Sequence, residues 1–175
     1  RYGVPYKLVS GTRFYQRQEI KDIIAYLRVI QDLQDNVSLA RIINVPKRGI
    51  GQTTLAKLQA GARADNFSLY KAVKEMTSSE TFTPHIAQAL VAFSTCIDNL
   101  VDKSRQLSPA GLLEEILERT GYREYILAKE DGEERWENIM ELKSVAEEYN
   151  GLDSREGLAT LLEKVSLVAD IDELD

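Results

Sequence analysis

This 175-residue chain has one cysteine, one histidine, one tryptophan and two methionines. With Cys96 alone, no disulfide can close within the chain and no cysteine-rich zinc site can form. With His85 alone, a histidine metal cluster is all but excluded, as is a Ser-His triad with a histidine to spare. No run approaches the roughly 20 apolar residues that a membrane span needs. No basic start followed by an apolar block marks a signal peptide. Two nucleotide-binding motifs are absent as well: there is no GxxxxGK[ST] loop and no GxGxxG. Gly49-Ile50-Gly51 lacks the Lys-Thr that would follow it in a phosphate loop. The first residue is Arg1 rather than Met, so a piece of a longer polypeptide is the expectation.

What is present is enough apolar material for a core: 43% of residues are hydrophobic and 29% are charged. The net charge is −6, which taken alone argues against a polyanionic partner, but the charge is unevenly distributed. Residues 1–65 hold 11 of the 22 Lys and Arg but only 5 of the 28 Asp and Glu, so they carry +6 and the remainder −12. A basic first third before an acidic remainder fits either a nucleic-acid face or chance segregation of surface charge.

The periodicity predicts an all-α chain, a multi-helix bundle with one short strand at 6–9. In 19–30, Ile20, Ile23, Ile24, Leu27 and Ile30 form a helical stripe. A short helix around Leu39, Ile42 and Ile43 must stop before Pro46, and a further helix runs from Thr53 to about Ala64. Ser68 caps a helix through Met76. Thr83-Pro84 and Ser108-Pro109 each read as a cap followed by proline at the first helical position. Gly121 reads as a stop. Helices are expected at 122–129 and 133–149, and Asp153 with Glu156 starts a last one through about Val168. Residues 170–175 read as an acidic end.

His85 reads as a surface or capping histidine, and Cys96 as a small hydrophobe within an amphipathic helix. Asp170, Asp172 and Asp175 lack the glycine of a calcium loop. Phe14 and Tyr15 between Arg13 and Arg17 fit base stacking with phosphate contacts, or a turn packed on the next helix. The informative segment is Asn44-Val45-Pro46-Lys47-Arg48-Gly49-Ile50-Gly51-Gln52-Thr53-Thr54-Leu55. It reads as helix, Gly-x-Gly hairpin, helix. The glycines allow a tight turn and close approach, and the following helix presents free N–H groups and a positive dipole end to an anion. Thr53 and Thr54 can donate hydroxyl hydrogen bonds, and Lys47 and Arg48 add charge. This is the helix-hairpin-helix way of gripping a nucleic-acid backbone without reading bases. An ordinary turn between helices is the plainer alternative.

Gly11-Thr12-Arg13-Phe14-Tyr15-x-Arg17-x-Glu19-Ile20-Lys21-Asp22, followed by Ala25-Tyr26-Leu27-Arg28, resembles a signature of the UvrD/PcrA/Rep group of superfamily 1 DNA helicases. Leu39-x-Arg41-Ile42-Ile43-Asn44-Val45-Pro46-x-Arg48-Gly49-Ile50-Gly51-x-x-Thr54 resembles that group's next block. Gly121-Tyr122, Glu137-Asn138 and Asp170-x-Asp172-Glu173-Leu174 agree more loosely. The resemblance implies the end of motor subdomain 2A at 1–30, which would include the strand, and helical subdomain 2B at 31–175. It implies a bacterial, cytoplasmic and nucleoid-associated parent that translocates 3′ to 5′ using ATP and magnesium. The motor motifs that hold these cofactors are missing here, so no cofactor and no catalysis are expected of this stretch.

The implied partners are the duplex backbone at a single-strand/duplex junction and the parent's own motor subdomains. The implied backbone contacts are Arg48, Gly49, Ile50, Gly51 and Thr54, with Lys47 nearby. Glu19, Lys21, Asp22 and Arg28 are implied to have structural or hinge roles. A helical protein-interaction module is the alternative, its acidic helices after residue 66 meeting protein partners. A third reading, a helix-hairpin-helix repair enzyme, would need an acid beside the hairpin, and Asp65 is the nearest one downstream.

Overall fold

A computed structural model describes residues 13–78 and 80–174. Strand 6–9 and the Gly11-Thr12 part of the first motif lie outside the described residues. A single 3-10 turn, Phe14–Gln16, leads into nine helices among the described residues: α1 Gln18–Gln31, α2 Asn36–Ile42, α3 Gln52–Asp65, α4 Leu69–Met76, α5 Pro84–Ser104, α6 Pro109–Thr120, α7 Tyr122–Leu127, α8 Gly132–Glu147 and α9 Ser154–Leu174. No strand occurs among them, so the all-α expectation holds.

Helix starts follow local side-chain chemistry. The hydroxyls of Ser68, Thr83 and Ser108 accept from the backbone N–H groups of Lys71, Ile86 and Gly111. Asp153 Oδ1 accepts from Glu156 N at 2.9 Å, and Asp35 Oδ1 from Ser38 N at 3.0 Å. Each bond satisfies one of the N–H groups that a helix start leaves without a partner. Gly121 ends α6 with φ +73°, as its position in the sequence predicts. The last helix departs from expectation. It continues through 170–174 to Leu174, because no glycine or proline follows Val168 to stop it.

Helix α1 is the axis of the bundle. It packs against α2, α5, α6, α8 and α9. Ten of its fourteen residues are buried, far more than one amphipathic stripe provides. Two of the ten are carboxylates. Asp22 accepts from Arg41 Nε at 2.9 Å and from the Tyr122 hydroxyl at 2.7 Å. Glu19 accepts from Arg135 Nη1 at 3.2 Å and Asn138 Nδ2 at 2.8 Å. Arg17 Nη1 donates to Asn138 Oδ1 at 2.7 Å, and Arg28 Nη2 to Ser166 Oγ at 2.9 Å. The polar residues of the first motif therefore fasten α1 to α2, α7, α8 and α9. Buried charge is tolerated at Glu19 and Asp22 because each has a cationic and a neutral donor.

Candidate nucleic-acid interface

The hairpin between α2 and α3 is built from inside. Asn44 Oδ1 accepts two backbone N–H groups across the loop, Arg48 at 2.7 Å and Ile50 at 3.1 Å. An asparagine carbonyl can fold a loop in this way because it imitates a backbone acceptor. Ile50, 1% exposed, plugs the loop into the core. Gly49 has φ +80°, the left-handed region where a side chain would be strained. Gly51 instead has φ −83° and ψ −175°, and a Cβ built on it would meet nothing within 4 Å. The fold therefore requires glycine at 49 and not at 51.

Arg48 turns inward. Its Nη1 donates to the carbonyls of Ile42 at 2.7 Å, Ile43 at 3.1 Å and Val45 at 3.3 Å. Its Nη2 donates to the Tyr26 hydroxyl at 2.6 Å, and that hydroxyl donates to the Val45 carbonyl at 2.5 Å. The guanidinium lies 4.8 Å from the centroid of the Phe93 ring. A cation thus closes the carbonyl end of α2, where the helix dipole is negative, adding to the Val45 N–H on Ile42 O and the Tyr26 hydroxyl on Val45 O. Burial pushes the Tyr26 hydroxyl up to about 12, and the neighbouring Arg48 charge only partly opposes this.

The sequence-predicted contact residues consequently separate into two sets. Lys47, Gly49, Gly51 and Thr53 are exposed, together with Gln52, for which the sequence suggests no role. Ile50 and Thr54 are buried, and the Arg48 guanidinium is engaged by the loop itself. The sequence places Arg48 on the ligand side; the structure gives it the task of closing α2. Asn44 and Tyr26 stand within the recognised motifs, but only their partners in space reveal what they do.

Helix α3 begins at Gly51 with no side-chain cap and no acid in its first turn. Every other described helix start has one or the other. No carboxylate in that turn competes for its first N–H groups, and the exposed Lys47 precedes it by four residues, an arrangement suited to an anion.

Other expectations resolve more simply. Phe14 and Tyr15 are 1% and 5% exposed, so they form a turn packed on the next helix and offer no face for base stacking. Asp65 ends α3, roughly 20 Å along the axis from the hairpin at 1.5 Å per residue. It supplies no acid beside the loop. His85 is exposed in the first turn of α5, and burial pushes the Cys96 thiol up, away from nucleophilic character. Among the described residues, no three or more His, Cys, Asp or Glu gather as a metal site, and no helix is long and apolar enough to cross a membrane.

Comparison with known proteins agrees with the motifs. The chain is 39% identical over 175 residues to a protein of Bacillus subtilis (strain 168) named ATP-dependent DNA helicase PcrA. It is 38% identical over 177 residues to proteins of the same name from Staphylococcus epidermidis and Staphylococcus aureus. Each match covers 99% of this chain and 24% of the relative, so the chain spans about a quarter of the length of these curated relatives. The family described as UvrD-like helicase C-terminal domain matches residues 1–174, and this chain belongs to it.

Proposed function

We propose that this chain is the duplex-contacting, regulatory helical part of a bacterial ATP-dependent 3′–5′ DNA helicase, holding the DNA backbone without reading sequence. The observation that carries the reading is the outer rim of the hairpin: Lys47, Gly51 and Thr53 exposed around a helix start that has neither cap nor acid. Lys47 supplies the charge. The first amides of α3 and the Thr53 hydroxyl supply hydrogen bonds, and Gly51 lets a phosphate come close to the backbone. Arg48, Asn44 and Tyr26 are positioning residues that hold this rim in shape. Duplex beside a single-strand/duplex junction is the proposed partner, as are the motor subdomains of the same polypeptide, where ATP and magnesium would bind. Cytoplasmic, nucleoid-associated work follows from that partner.

The expected boundary at 30/31 divides a motor remnant from the helical body. That boundary is part of the proposal, with α1 packed on the later helices as the element that joins the two parts.

With Arg48 turned inward, Lys47 and the first amides of α3 neutralise about one or two phosphates. Log K for duplex DNA should then fall with log salt at a slope of about −1 to −2. Fluorescence anisotropy with two unrelated duplexes across a salt series tests this. Equal weak affinity for both is expected, and strong preference for one sequence contradicts backbone gripping.

A further inference from the structure

The only tryptophan, Trp136, is half-buried in a cleft of about 360 Å³ between α6, α7 and α8. The floor is apolar, formed by Leu117, Trp136 and Met140. Trp136 and Met140 pack against the core yet stay partly open to solvent, which leaves an indole and a thioether in contact with water. Such side chains dominate binding energetics when a partner completes their burial.

The rim is mainly acidic: Glu114, Glu118 and Glu124 line it, against Arg123 alone. The Arg123 guanidinium lies 5.2 Å from the centroid of the Trp136 ring, and Glu114 is ion-paired with Lys143. Glu118 and Glu124 are exposed and have no ion pair among the described residues. An apolar floor inside a negative rim repels phosphate and disfavours nucleic acid. The complementary occupant is cationic at its edges and apolar at its centre.

We propose that this cleft docks a segment of a partner protein in which an aliphatic side chain is flanked by lysine or arginine. The aliphatic group covers Trp136 and Met140, and the flanking cations meet Glu118 and Glu124. No cleft residue belongs to the hairpin, so the proposal stands apart from the DNA reading.

Because Trp136 is the only indole, its emission reports occupancy directly. The probes are an amphipathic helical peptide of leucine and lysine and a twin with glutamate at every lysine. The lysine peptide is expected to shift Trp136 emission to the blue and saturate, and the glutamate twin to leave it unchanged. The double variant Glu118→Lys/Glu124→Lys should raise the Kd for the lysine peptide about tenfold. A control double variant of equal charge change at exposed positions elsewhere, Asp65→Lys/Glu163→Lys, should stay within about twofold. Circular dichroism verifies that both variants keep their helices. Absence of any emission shift, equal response to both peptides, or equal weakening by the two double variants would overturn the proposal.

Discussion

Arg48 and Lys47 are neighbours in the chain with opposite tasks. Lys47 points to solvent, whereas Arg48 spends its guanidinium on three carbonyls, a phenol and an aromatic face. Arg48→Ala should therefore cost stability, about 2–3 kcal/mol, because the Ile43 carbonyl and the Tyr26 hydroxyl lose the donor Arg48 gives them, and the Phe93 face loses its cation. Urea unfolding checks it, with Lys47→Ala, expected within about 0.5 kcal/mol of the unaltered chain, as the comparison. Tyr26 adds a pH dependence. Its proton is held more tightly in the folded state, up to about 12 against an ordinary 10.0. Its contribution is thus complete below about pH 10 and is lost as pH rises towards 12. Tyr70 and Tyr122 are raised as well, chiefly by burial, so the whole chain weakens in that alkaline window. Tyr26→Phe removes one titrating proton and should make the stability decline above pH 10 shallower, measured as unfolding midpoints at successive pH values.

At the scale of elements, α1 depends on its buried carboxylates being paired. Arg135→Met leaves Glu19 with Asn138 as its remaining donor of the observed pair, and should cost about 3 kcal/mol. Adding Glu19→Gln should restore part of that loss, since no charge then stays buried without its cation. A double-mutant cycle of unfolding free energies measures this coupling. Much of the element order is legible in the sequence because its signals are local. Ser68, Thr83-Pro84, Ser108-Pro109 and Gly121 act within one turn of themselves. The extent of α9 is not legible, since an acidic run looks like a tail until the absence of a stop signal is given weight. The division of the hairpin is not legible either. Arg48 finds Tyr26 and Phe93 at 22 and 45 positions' distance, and only folding brings them together. Gly49 and Gly51 look equivalent in sequence, while their backbone angles differ in kind.

At the scale of the whole molecule, the charge is split: residues 1–65 carry +6 and the remainder −12, so in the proposed reading the acidic part opposes DNA while the hairpin rim would attract it. Binding by the chain alone should be weak, with the shallow salt dependence of about one or two phosphate contacts. The charge pattern also accommodates two partners of opposite sign, a polyanion at the hairpin and a cationic peptide at the Trp136 cleft. If the hairpin rim meets a phosphate backbone at close range, Gly51 is the position where an added side chain should interfere. A Cβ there meets nothing within 4 Å and the backbone is extended, so Gly51→Val costs the fold no more than about 1 kcal/mol, as a poorer residue at a helix start. The measurement is duplex-DNA anisotropy at low salt for the unaltered chain, Gly51→Val and Gln52→Ala, with unfolding free energies for all three. We predict unfolding free energies within about 1 kcal/mol of one another, affinity lowered at least about tenfold by Gly51→Val, and little change for Gln52→Ala. Unaltered DNA affinity in a folded Gly51→Val chain would contradict the account.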